Sequence, residues 1–253
     1  MAIIRQGQMD AFREAAVRDF ENSVFARLRE FFPNHYRIFG DQAIRRAIHY
    51  GIGQAERHGF SAQRESYLYI TMMLLLGGNF DSDVQLPWVT GILDDRSMLY
   101  ASTRMDAFAE EALAYFDRIA GQDHVHINRA LVRLHGEAQR IVAQFPVPDF
   151  EGRMHAELHN LYPQKYEAVR GAGIAALIRA GGELASGNGL SGQHGRAICT
   201  VLMFFLGTGF DTDPLEEWVT AILREPASDE RSKIVRLYRE SMLFLEKWLA
   251  KGD

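Results

Sequence analysis

Cysteine is nearly absent from the chain. The single thiol, Cys199, excludes an intramolecular disulfide and fits a reducing compartment. A basic excess is missing as well: 28 Lys and Arg stand against 33 Asp and Glu, a net charge of −5. A surface of that sign repels a phosphate backbone, so nucleic acid is not an expected partner. Long apolar runs are also wanting. Ile70–Leu76 and Val201–Leu206 fall far short of the roughly 20 residues that cross a bilayer, and no membrane insertion is expected. The opening Met1–Gln8 lacks the apolar core and small-residue cleavage site of a signal peptide, so the expected location is the cytoplasm. No stretch alternates apolar and polar residues cleanly at period two, the mark of a half-buried strand. What remains is helical periodicity punctuated by Pro, Gly and Asp. The expected fold class is all-α, a multi-helix bundle.

One stretch is written twice. Gly77–Leu93 (GGNFDSDVQLPWVTGIL) recurs without a gap as Gly207–Leu223 (GTGFDTDPLEEWVTAIL), at a constant offset of 130 in position. The match extends outward from Val17–Leu93 to Val147–Leu223 and includes turn residues such as Pro33/Pro163, Gly51/Gly181 and Gly59/Gly189. An internal repeat of two pseudo-symmetric units follows, 1–122 and 123–253, packed as one body.

In the first unit, Phe12, Ala16, Phe20, Val24, Leu28 and Phe31 recur at helical spacing over Gln8–Phe32, which Pro33 and Asn34 end. A second helix is expected over Tyr36–His58, with Ile44, Ile48, Ile52 and Ala55 on one face and Gly59 closing it. Ser61 reads as the N-cap of a third, running to Leu76 and apolar all round, hence buried. A short helix over Leu86–Leu93 and a longer one over Ser97–Ala120 complete the unit, with Met105, Phe108, Ala112, Phe116 and Ile119 in a stripe. Ser232–Ala250 is its counterpart, and a connecting helix spans about Asp123–Gln144, broken by Pro146 and Pro148.

The Asp-x-Asp pairs, Asp81/Asp83 and Asp211/Asp213, are the strongest candidates for chemistry, as a cation site or as paired carboxylates. A calcium loop would continue with a third acid, a Gly and a distant Glu, and neither copy does. Asp213 instead suits a cap for the next helix, with Pro214 in its first turn and Glu216 at capping-box spacing. Phe80, Trp88, Phe210 and Trp218 then anchor each loop, so these eight residues are expected to be structural, with no catalytic residue, metal or cofactor. His155 and His159 share a helix face, but a zinc-protease motif has its Glu directly after the first His, where Ala156 stands, and Glu157 falls on another face. His124 and His126 do not share a face. The six glycines of Gly181–Gly195 follow no strand and precede no Lys, unlike a phosphate loop. Asp94-Asp95 lacks a later Asp of a diphosphate motif, and Cys199 sits in an apolar helix with no nearby His.

Tyr50–Arg57 (YGIGQAER), Tyr67–Ile70 and Gly78–Asp83 through Leu86-Pro87-Trp88, with the opening Ile3-Ile4-Arg5 and Gln8, resemble a family of helical proteins from bacterial type VI secretion gene clusters. Its members sit beside PAAR-type spike-tip proteins and effectors, and the resemblance covers about residues 3–93. It implies a bacterial cytoplasmic protein that is not an enzyme: an adaptor or chaperone holding a secreted effector or spike protein in a groove between the halves. An immunity protein that blocks a basic toxin is the alternative, and a metal-binding protein or enzyme using the Asp-x-Asp loops is the third.

Overall fold

The computed structural model describes residues 6–226 and 228–250, and for residues 6–13 the backbone alone. Ile3, Ile4 and Arg5, and the side chain of Phe12, lie outside the described residues. Eleven α-helices run through that range: α1 (Gln6–Phe31), α2 (Pro33–Arg57), α3 (Gln63–Leu76), α4 (Pro87–Leu93), α5 (Ala101–Ala120), α6 (Val125–Ala143), α7 (Phe150–Leu161), α8 (Pro163–Gly187), α9 (Gln193–Leu206), α10 (Glu217–Leu223) and α11 (Glu230–Leu249). Single 3₁₀ turns occupy Phe80–Ser82, Gln122–His124 and Phe210–Thr212. No strand occurs among the described residues, and no helix there is long and apolar enough to cross a membrane. The chain is all-α.

The helix boundaries follow from local chemistry. Phe32 leaves helical geometry (φ −126°, ψ 51°), and Pro33 opens α2 at the position where a missing N–H is harmless. Proline therefore starts the second helix three residues earlier than its apolar face suggests. At the far end Gly59 takes φ +79° and the Phe60 N–H donates to the Ala55 carbonyl (2.9 Å). Gly189 (φ +75°) and the Leu190 N–H on the Ala185 carbonyl (2.8 Å) close α8 in the same way. Ser61 does not cap α3. It lies one residue before the cap position, which Ala62 holds without a side-chain bond.

Helices α2 and α8 each span 25 residues, broken at Gly40 and at Arg170–Gly171, while α3 and α9 each have 14 and α4 and α10 each 7. The partners in each pair begin and end at the offset that relates the two sequence copies.

Packing corrects the reading of α1. Val24, Phe25 and Leu28 are buried against Tyr36, Ile44, Ile48 and Ile70, whereas Ala16 is exposed and Phe31 is 70% exposed. Phe31 is the last residue of α1, and the chain turns away before another element covers it. A larger apolar cluster runs from Ala55 on α2 to Leu237 on α11, so it draws on residues either side of position 122. Helix α9 sits at its centre, touching α6, α7, α8 and α11, with Ala197, Cys199 and Phe204 buried. Helix α11 reaches back to α2: Trp248 meets His35 edge-on (4.9 Å between centroids) and Phe244 packs on Phe39 (5.7 Å).

Phe80 is fully buried between Tyr69 (4.8 Å) and Phe108 (5.2 Å, stacked). Truncation to alanine removes both aromatic contacts and leaves a hole in the core. Phe80→Ala is expected to cost about 3–5 kcal/mol in urea unfolding monitored by circular dichroism.

Candidate functional site

Helices α3 and α9 end at Gly77 (φ +104°) and Gly207 (φ +97°), a backbone conformation that a side chain strains. Both turns deliver their loops to the same place. The Gly78 N–H donates to Asp213 Oδ2 (2.7 Å), and the Thr208 N–H donates to Asp83 Oδ2 (3.1 Å). The Thr208 hydroxyl also donates to Asp83 Oδ1, and Asn79 Nδ2 donates to the Gly209 carbonyl (2.8 Å). Each carboxylate also accepts an N–H of its own loop: Gln85 on Asp83 (2.8 Å) and Leu215 on Asp213 (2.9 Å). Asp83 and Asp213 are each 5% exposed, so these bonds face little competition from water. The second Asp of each motif thus fastens its own turn and the opposite loop.

That geometry corrects the capping expectation. Helix α10 begins only at Glu217, because a turn closed by the Glu216 N–H on the Asp213 carbonyl (3.0 Å) stands between Asp213 and the helix. The Glu216 carboxyl accepts from the Trp218 indole N–H (2.6 Å) and forms no capping box. Phe80 and Phe210 are buried, while Trp88 and Trp218 are half-buried.

The first Asp of each motif has different surroundings. His58 bridges two carboxylates, Nε2 to Asp81 (2.9 Å) and Nδ1 to Asp94 (3.1 Å), and the Tyr69 hydroxyl donates to the same Asp81 oxygen (2.9 Å). The hydrogen bond to Asp81 holds the His58 pKa above its ordinary value. Burial pushes Asp81 up, but the bonds from His58 and Tyr69 outweigh it and hold Asp81 below the usual carboxylate range. At the corresponding positions of the second copy stand Asn188, Arg224 and Cys199, and Asp211 has no such set. The framework around them is nonetheless alike. Arg104 donates to the carbonyls of Leu93 and His58, and Lys233 donates to those of Leu223 and Asn188.

Beside the crossed loops lies a cavity of about 300 Å³. Leu75, Leu131, Leu134, Val201 and Phe205 are among the residues of its apolar wall, which α3, α6 and α9 supply, and Met242, Phe244 and Trp248 of α11 border it. Its polar side groups include Asp83, Gln85, Tyr115, Lys165, Asp213 and Glu216. Burial, together with neighbouring Asp213, pushes Glu216 up to about 8, so it is largely protonated at neutral pH. Burial also raises Asp213, against the N–H groups of Leu215 and Gly78. Desolvation brings Lys165 down to about 8, still largely charged at pH 7, with its ammonium 5.3 Å from the Phe204 ring centroid. His35 is lowered to about 4 by burial and stays neutral, donating to the Leu74 carbonyl (3.1 Å).

The other candidates do not converge on this cavity as a group. His155 bonds the Tyr166 hydroxyl (2.9 Å) and His159 meets the same ring edge-on. Cys199 is fully buried, and burial pushes its thiol up to about 12. The glycines from Gly181 span the end of α8 and its turn into α9. Among the described residues no three His, Cys, Asp or Glu side chains are placed to hold a metal. Sequence reasoning missed His58, Gln85, Tyr115 and Lys165; the last three come to line one cavity only through long-range packing. Comparison with family models, with curated proteins and with solved structures gives no match.

The His58 bridge carries a pH signature. A raised histidine pKa contributes stability below the unfolded value near 6.5, lost as pH rises through the folded pKa. A lowered Asp81 pKa contributes above about 3.9, lost as pH falls through its folded value. Asp81→Asn is expected to return the His58 pKa toward 6.5 in an NMR titration. At pH 5.5 it is expected to lower stability by about 1–3 kcal/mol.

Proposed function

We propose that the chain is a duplicated helical binding protein, two units related by the constant offset of the sequence match. It acts as a non-enzymatic adaptor or chaperone-like partner of a type VI secretion effector or PAAR-type spike protein in the bacterial cytoplasm. The observation that carries this reading is the apolar cavity beside the crossed loops, which offers buried surface to an incoming apolar segment. The equal helix lengths and shared offset support the duplication. So do the paired contacts of Arg104 and Lys233, whose acceptor carbonyls occupy corresponding positions in the two copies. The resemblance of residues 3–93 supplies the class of partner.

Co-expression with the effector or spike protein encoded beside this chain tests the reading. The partner is expected to co-purify. Leu134→Glu places a charge on a half-buried wall position and is expected to cut recovery at least tenfold without changing the circular dichroism spectrum. A chain that protects cells from the toxin but leaves effector level and delivery unchanged would contradict the adaptor role in favour of immunity.

A further inference from the structure

Three polar atoms around the cavity lack a partner among the described residues. The Tyr115 hydroxyl and Gln85 Oε1 are buried without a hydrogen bond, their side chains belonging to residues 3% and 2% exposed. Lys165 is half-buried beside the same space, its ammonium 5.3 Å from the Phe204 ring centroid and with no carboxylate in ion-pair range among the described residues. The Tyr115 hydroxyl and Gln85 Oε1 have given up water without gaining a protein partner, which is costly until something meets them. All three residues line the cavity, Gln85 bonds the Asp83 carboxylate there, and together they are its unmet polar pole. The Gln85 amide is oriented by its own donors. They go to the Met203 carbonyl (2.9 Å) and to Asp83 (3.2 and 3.3 Å), which leaves the oxygen as a free acceptor. The pole therefore offers two donors, one of them cationic, and a single acceptor.

We propose that this cavity receives the carboxyl-terminal residue of the protein partner: Lys165 and Tyr115 take the terminal carboxylate, Gln85 takes the N–H of that residue, and the apolar wall takes its side chain. This rests on the adaptor reading above. A chain end brings an anion and one N–H together, which matches the unmet groups. A fatty acid brings the anion and leaves Gln85 Oε1 unmet. An internal segment has to enter and leave, and presents carbonyls and N–H groups to a mostly apolar wall. The cavity volume, at the low end of the roughly 300–1,000 Å³ of ligand sites, suits a residue or two and not a helix. The neighbouring acids do not bar an anion. Asp83 is already met by Thr208 N–H and hydroxyl and by both Gln85 donors, and Glu216 is largely protonated.

Acetyl-Phe-Leu-Leu with a free carboxylate, its amide and dodecanoate are titrated into the full chain, with tryptophan fluorescence as readout because Trp218 and Trp248 line the cavity. The free acid is expected to bind at least tenfold tighter than the amide. Lys165→Met removes that preference, and Tyr115→Phe, which keeps the ring packing, weakens it. Equal binding of acid and amide overturns the proposal, as does failure of all three probes, and as does dodecanoate binding in place of the peptide acid. In the co-purification assay, a Gly-Ser-Gly extension at the partner's carboxyl terminus is expected to abolish recovery. Recovery that survives the extension but is lost in Leu134→Glu overturns the chain-end proposal and leaves the adaptor reading standing.

Discussion

Asp83 and Asp213 each hold the backbone of the other's loop, and the interior is arranged so that they can. The approach leaves no room for a side chain at Gly77 or Gly78. A Cβ on Gly78 would sit 2.5 Å from the Asp213 carboxylate, and one on Gly77 would sit 2.7 Å from the Leu206 carbonyl. Helices α3 and α9 must therefore end in glycine, side by side, in the middle of the molecule. Loss of either carboxylate strands a buried N–H on the opposite loop, a cost that polar groups in water do not incur. The cavity floor inherits this constraint, because Gln85 and Glu216 are held within two or three residues of the locking aspartates.

Helix bounds recur at the sequence offset, but the side chains around them do not. The Asp81–His58–Asp94 bridge stands in the first half, while the second has Asn188 and Arg224 at the positions of His58 and Asp94. Gln85 faces the cavity where its counterpart in the second copy is Leu215. Glu216 corresponds to Leu86, and Lys165 to His35, by the same offset. Apart from the locking aspartates, the charged and amide groups of the cavity are thus one-sided. Across the sequence match the locking aspartates and the glycines that end α3 and α9 recur, while these cavity residues do not.

Much of this was legible in the sequence where the determinant is local. Pro33, Gly59, Gly77 and their counterparts punctuate the helices through backbone restrictions that need no distant partner. The inward faces of α2 and α5 follow largely from spacing, whereas α3, expected to be buried all round, leaves Leu74, Leu75 and Leu76 half-buried. The misreadings share one cause. Asp213 and Glu216 have the spacing of a capping box, but the Asp213 carboxylate finds its donor in Gly78, far away in sequence, and spacing cannot report that. Phe31 belongs to a regular stripe yet sits at the last position of its helix, where it stays exposed. The cavity draws on residues from His35 to Trp248, so its polar pole becomes visible only when α3, α5, α8 and α11 are packed together.

The coupling of the two loops is measured most directly by native-state hydrogen exchange at the amides of Gly78 and Thr208, the two N–H groups that the aspartates hold. If the crossed bonds form one unit, both amides exchange with the same opening free energy, and Asp213→Asn lowers both by the same amount. Accelerated exchange at Gly78 with unchanged protection at Thr208 would show that the two halves open independently, and would contradict the account.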